Sequence, residues 1–200
     1  LFEQLHLDGS LPPVQGDFLS VRASNRGRSK IDAFMQRSVS YDVSVDPQRG
    51  TVHATVTVNV RNDAPATGLP FPVIGTHLDR AQGTNSTTVS VYTPLELVDV
   101  RMDGESIGRG AYREFDRNRF SALVDIPPGG DETVTFELEG SMDLSDGYHL
   151  DVVPQPLVNN DRFEILIQGP RGWGRSGRFA LRKVLREDES LDVSFAFGSE

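Results

Sequence analysis

Two polar turns in this chain carry the side chains best suited to chemistry. Asp143, Ser145 and Asp146 precede Gly147, and Asn159, Asn160 and Asp161 follow soon after. Carboxylate and amide oxygens gathered in turns are the donor set of calcium, which makes Asp143, Asp146 and Asp161 its candidates. Against this, Asp143-Leu144-Ser145-Asp146-Gly147 does not keep the EF-hand register, and Asx-rich turns commonly serve only their own backbone. The four histidines, His6, His53, His77 and His149, share no metal-ligand spacing. His149 stands beside Tyr148 in an acidic stretch, where proton transfer is one role open to it. The chain has no cysteine, so it has no disulfide framework, thiolate metal site or cysteine nucleophile.

Familiar catalytic signatures are missing too. There is no Gly-x-Ser-x-Gly elbow, no Walker loop and no dinucleotide fingerprint. Gly169-Pro170-Arg171-Gly172-Trp173-Gly174 is glycine-rich but lacks the strand–loop–helix setting and the lysine of a phosphate cradle. The sequence therefore assigns no catalytic residue and no cofactor. A carboxylate pair for glycoside hydrolysis is defined by distance in space, and a count of 29 acids does not address it.

Two features suit recognition. Trp173, the sole tryptophan, is flanked by glycines with Arg171 and Arg175 nearby. Tryptophan with arginine is the make-up of a binding hot spot or a sugar-stacking platform; the plainer reading has the ring closing one end of the core. Over Tyr112–Arg119, tyrosine, phenylalanine and arginines alternate with acids, which reads more simply as a hairpin tip. Asn85-Ser86-Thr87 fits the glycosylation sequon.

The 200 residues are 37% hydrophobic and 24% charged, ordinary for a globular chain able to bury a core. The formal charge of −9 argues against nucleic acid as the main partner, since phosphate binding needs a positive footprint. No apolar run approaches the roughly 18 residues of a membrane span. Eighteen of the 20 basic residues are arginine, only Lys30 and Lys183 being lysine. Charge is unevenly distributed: Arg162 is the only base in a long acidic stretch from Asp125 to Glu164, and a basic belt from Arg171 to Arg186 follows. Such belts mark either a partner surface or intramolecular pairing on solvated strands.

Alternation supplies the scaffold. Val39, Tyr41, Val43 and Val45 point one way and Ser38, Ser40, Asp42 and Ser44 the other; after Pro47 and Gly50 the pattern resumes with Val52, Ala54, Val56, Val58 and Val60. Two strands joined by that turn predict an antiparallel hairpin. Further strands are expected at Asp17–Arg22, around Val89 and Val91, over 95–102, 120–126, 134–138, 150–152, 163–167 and 179–183, and from Val193 on. Residues 1–9 read as the end of a helix, and Ala64–Asn85 as a long connection. Many short strands between Gly, Pro, Asn and Asp turns predict an all-β fold, an antiparallel immunoglobulin-like β-sandwich with a short N-terminal helix or loop segment. The expected division is an N-terminal segment over 1–34, the end of a preceding domain, and the sandwich over 35–200.

Several stretches together resemble the C-terminal part of actinobacterial proteins of the domain-of-unknown-function 4012 family. They are Gly16-Asp17-Phe18-Leu19, Ser29–Asp32 leading to Arg37–Val43, Arg61–Pro65, Val124–Gly130 and Asp143–Tyr148. The similarity covers roughly residues 1–170 and contains no catalytic signature. It implies a larger parent with a transmembrane helix upstream, so that this region is extracytoplasmic and touches the membrane only through that anchor. The opening Leu1, rather than Met, agrees with a fragment of such a parent. The resulting expectation is a non-catalytic cell-envelope module that presents or binds an extracytoplasmic protein or glycan. The alternatives are a polysaccharide-processing enzyme using acids of the belt and a calcium-stabilised spacer.

Overall fold

A computed structural model describes residues 15–76, 79–108, 110–114, 116–170 and 178–193. The strands are β1 (Asp17–Asn25), β2 (Met35–Asp46), β3 (Thr51–Asn62), β4 (Asn85–Thr93), β5 (Glu96–Met102), β6 (Glu105–Ser106) and β7 (Gly110–Glu114). They continue with β8 (Arg117–Ile126), β9 (Asp131–Ser141), β10 (Tyr148–Val152), β11 (Arg162–Gln168), β12 (Arg178–Val184) and β13 (Glu189–Val193). Among the described residues, helix is confined to single turns at Ile31–Phe34 and Phe71–Ile74, and no helix is long and apolar enough to cross a membrane. The chain is all-β, as its alternation predicts.

The strands form two sheets, ordered β13-β10-β1-β4-β8-β7 and β12-β11-β2-β3-β9-β5-β6. Their inner faces share one apolar core, with Leu19, Val21, Val89, Val91, Phe120 and Leu150 from the first sheet meeting Val39, Tyr41, Val56, Phe136 and Ile165 from the second. The β2–β3 hairpin pairs Val39 with Val58 and Val43 with Ala54. At its turn the Asp46 carboxylate accepts from the amides of Gln48 and Arg49, and Gly50 takes φ +65°. A Cβ there would sit 2.9 Å from the Met142 carbonyl oxygen, so glycine serves both the conformation and the close approach.

Both sheets are mixed, not antiparallel throughout: β1 runs parallel to β10 and β2 parallel to β11. Parallel neighbours need a crossover, and this chain makes its crossovers through the opposite sheet. Pro94 marks one of them. Lacking an N–H it cannot continue the ladder, so β4 ends in one sheet and β5 begins in the other, with the Leu95 amide donating to the Thr93 hydroxyl between them. Asn62 fastens another: its side-chain amide donates to the carbonyls of Gly83 and Ile126, and its oxygen accepts from the Ala64 amide.

The expected division falls at residue 34. β1 lies ahead of it yet sits between β10 and β4, with Leu19 and Val21 fully buried in the common core. The helix expected within residues 1–9 lies outside the described residues.

Two polar groups cross the core between sheets. Asp17 accepts hydrogen bonds from the Tyr41 hydroxyl at 2.6 Å, from the Phe18 amide at 2.7 Å and from the Tyr148 hydroxyl. Burial outweighs these donors and pushes its carboxyl up to about 6. Arg37 makes a two-pronged pair with Asp161, Nε–Oδ1 2.8 Å and Nη2–Oδ2 2.5 Å, both side chains wholly buried. Its Nη2 also donates to the Val21 carbonyl across the seam. Beside it the Gln155 side chain imitates a strand, accepting from the Ala23 amide and donating to the Ala23 carbonyl. This closes the edge of β1 that β10 leaves open after Leu19.

Candidate functional site

Strand parity decides which side chains leave the core. On β1, Leu19, Val21 and Ala23 point inward, so Phe18, Ser20, Arg22 and Ser24 face outward. Register places Ser20 against Tyr92 and Arg22 against Ser90, then Tyr92 against Arg119 and Ser90 against Ser121, and Arg119 against Tyr112. On the other flank Phe18 aligns with Asp151, and His149 with Asp192. The outer face of the six-stranded sheet is thus a floor of serines, with Ser90 and Ser121 joined Oγ to Oγ at 2.9 Å, between an aromatic–arginine end and a histidine–carboxylate end.

At the first end, the Arg119 guanidinium lies 5.8 Å from the Tyr92 ring and 5.9 Å from the Tyr112 ring, within cation–π range. Glu114 ties the group together, accepting from the Tyr92 hydroxyl at 3.1 Å and from Arg119 at 3.3 Å. Tyr112 is 64% exposed, and its ring leans over Gly110, where a Cβ would meet the Tyr112 Cε2 at 3.1 Å. Glycine lets the ring lie down on the sheet with one face toward solvent. Nearer the middle, Arg117 covers the outward ring of Phe18 at 4.0 Å, which is why an outward phenylalanine is only 1% exposed.

At the other end, His149 lies between two carboxylates, with Nδ1 2.6 Å from Asp192 and Nε2 3.2 Å from Asp151. The Asp192 hydrogen bond, opposed next by burial and helped to a lesser degree by Asp151, holds the imidazole above its ordinary value of 6.5. A cleft of about 310 Å³ opens beside it, lined by Asp143, Asp146, His149 and Asp192 among others.

The calcium candidates are only partly brought together. Asp143 and Asp146 share that cleft, with Asp143 accepting from the Ser145 amide as an Asx turn. Asp161 does not join them, because both its oxygens belong to Arg37 in the seam. Among the described residues no three His, Asp or Glu side chains are grouped to hold a metal ion. Trp173, Arg171 and Arg175 lie outside the described residues, as do His6 and His77. His53 is exposed on the outer face of β3. Asn85 of the sequon is fully buried, its side chain donating to Asp32, so the folded chain does not offer it for glycosylation. The hairpin expected at Tyr112–Arg119 is β7–β8, and its tyrosine and arginine do more than form a tip.

Sequence reading passed over Arg37 as a core group, yet a signal was present. Arg37 has the inward parity of Val39 and Tyr41, and an arginine at an inward position calls for a buried acid. Nothing comparable marks Tyr92 and Arg119, which only register brings together.

No family model matches the chain, and no curated protein does. Among solved structures it is similar to a candidate nutrient-binding protein of Legionella pneumophila, with 9% identity and a TM-score of 0.51, over 88% of this chain and 70% of that one. It also matches an M1 zinc metallopeptidase of Deinococcus radiodurans, with 10% identity and a TM-score of 0.41, over 76% of this chain and 39% of that one. Native leukotriene A4 hydrolase of Saccharomyces cerevisiae matches at 9% identity and a TM-score of 0.47, over 80% and 28%. The first likeness concerns the fold alone, and the other two, in which this chain spans well under half of the other protein, carry no argument.

Proposed function

We propose that this chain is a sandwich of immunoglobulin-like character acting as a non-catalytic module of the cell envelope, outside the membrane, which binds glycan on the outer face of its six-stranded sheet. Two sheets over one core and repeated crossings between them support the sandwich description. The resemblance of residues 1–170 to the 4012 family supports the envelope setting and a membrane-anchored parent. The observation that carries the binding reading is the Tyr112 ring, laid over Gly110, 64% exposed, and held beside Arg119. A sugar ring offers apolar C–H faces and hydroxyls at its rim; the exposed aromatic face meets the first, and the partly exposed Arg119 and Glu114 meet the second.

The test is a panel of envelope-type oligosaccharides titrated into the 200-residue chain, followed by tyrosine fluorescence and amide chemical shifts. Binding is expected to shift the amides of Tyr92, Tyr112 and Arg119. Tyr112→Ala is expected to weaken it about tenfold or more, the loss of roughly 1–3 kcal/mol of stacking. Shifts confined to other regions, or undiminished binding by Y112A, would refute the platform.

A further inference from the structure

The opposite face of the molecule carries a separate groove. On the outer side of the seven-stranded sheet a cavity of about 430 Å³ is lined by Gln36, Ser38, Arg61, Asp63, Asn160 and Arg162, among others. That is within the size range of sites for small ligands, roughly 300–1,000 Å³. Register sets Arg162 beside Ser38 and Gln36 beside Arg61, so these side chains stand together over β3, β2 and β11. The acids near it are already engaged. Asp63 accepts from Arg61 at 2.7 Å, and Asp131 accepts from Asn59 at 2.9 Å. The Arg162 side chain is exposed and its guanidinium has no hydrogen bond or ion pair to a described residue, in contrast to Arg182 and Lys183, which are paired with Glu164 and Glu189. A second cavity, of about 400 Å³, shares Ser38 and Arg162 and carries the groove on to β12.

We infer that this groove binds the acid-bearing unit of an anionic glycan, with Arg162 holding the acid group. Charge complementarity selects the ligand. In a chain of net charge −9, a guanidinium with no ion pair among the described residues, in a concave site, calls for an anion, and its fork fits the paired oxygens of a carboxylate or a phosphodiester. The flanking hydroxyl and amides of Ser38, Gln36 and Asn160 suit the hydroxyls of sugar units. The extension to β12 suits a chain rather than a free ion.

Four probes test this by calorimetry and amide shifts on the 200-residue chain: an oligogalacturonate, a short poly(glycerol phosphate), a neutral oligosaccharide and polyglutamate. One acidic polymer, at least, is expected to bind, shifting the Gln36, Ser38 and Arg162 amides and weakening as salt rises. The stronger of the two identifies the acid as carboxylate or phosphate. Arg162→Gln is expected to weaken binding about tenfold or more, and the amides of Tyr92, Tyr112 and Arg119 are expected to stay unshifted by the acidic polymers; this second result separates the groove from the Tyr112 platform. The shift map of the unaltered chain reads the site without relying on any variant. Failure of both acidic polymers, undiminished binding by R162Q, or equal binding of polyglutamate would overturn the inference, the last by showing bare charge attraction to an acidic polypeptide.

Discussion

The two sheets bury their inner faces alike but differ on the outside. In the seven-stranded sheet every second residue of β2 and β3 is buried, and the residues between them, such as Ser40 and Thr57, stay at least partly wet. In the middle of the six-stranded sheet both faces are closed: Phe18 and Ser20 are as buried as Leu19 and Val21, and Ser86 and Ser90 as Val89 and Val91. Alternation therefore reports whether water reaches the second face. Where long side chains such as Arg117 lie across a sheet, the outward positions are held by small hydroxyls, and the two-residue rhythm fades although the strand is central.

That difference depends on the seam keeping each sheet's outward residues outward, so the seam is where the largest effect is expected. Asp161→Ala removes the carboxylate that holds Arg37 and leaves a guanidinium buried with only carbonyl and amide oxygens. Breaking one partner of a buried pair costs about 3–5 kcal/mol. Urea denaturation of the variant is expected to show a loss of that size. A loss below about 1 kcal/mol would mean the pair is solvated and the seam is held by apolar contacts alone.

The other crossing group reports through pH. The Asp17 pKa is about 6 in the folded chain against an ordinary 3.8, so the folded state binds the proton more tightly than the unfolded state. Stability from this group is therefore highest below 3.8 and falls as pH rises to about 6. The shift corresponds to roughly 3 kcal/mol. Asp17→Asn cannot titrate, and its stability relative to the unaltered chain is expected to rise by about that amount from about pH 4 to pH 7. Denaturant midpoints that run parallel for the two chains across this window would contradict a desolvated Asp17.

Legibility in the sequence follows the same division. The β2–β3 hairpin was readable because one face is apolar and the other wet, and Pro94 announced the break that became a change of sheet. β1 was readable as a strand but not as a central one, because Phe18 and Ser20 disguise its second buried face. The parallel pairings of β1 with β10 and of β2 with β11 join residues more than 100 positions apart, and no local pattern encodes them. The same applies to the candidate site. Tyr112 and Arg119 were visible in one hairpin, whereas Tyr92, the other ring beside that guanidinium, comes from β4 through register alone. For Asp161 the local pattern misled: an Asn-Asn-Asp turn has the composition of an ion site, but its carboxylate belongs to an arginine far away in sequence.

The contrast between the outer faces can be sharpened with one substitution made twice. Thr57→Lys places a long cation on the wet face of β3, between Ser40 and Thr135, where the ammonium reaches water; its effect on stability is expected within about 0.5 kcal/mol. Ser90→Lys places the same side chain where Ser90 is 3% exposed, opposite Arg22 on one neighbouring strand and Ser121 on the other. It breaks the hydroxyl pair, sets like charges across a strand pair and forces the covering side chains apart, for an expected cost of about 2 kcal/mol. Chemical denaturation of the two variants side by side gives the difference directly. Equal costs would mean that water reaches both faces alike and that the small hydroxyls of the six-stranded sheet reflect composition rather than a covered surface. A larger cost at Ser90 would show that its outer face is packed, which is the condition for holding Tyr112 and Arg119 in one fixed arrangement.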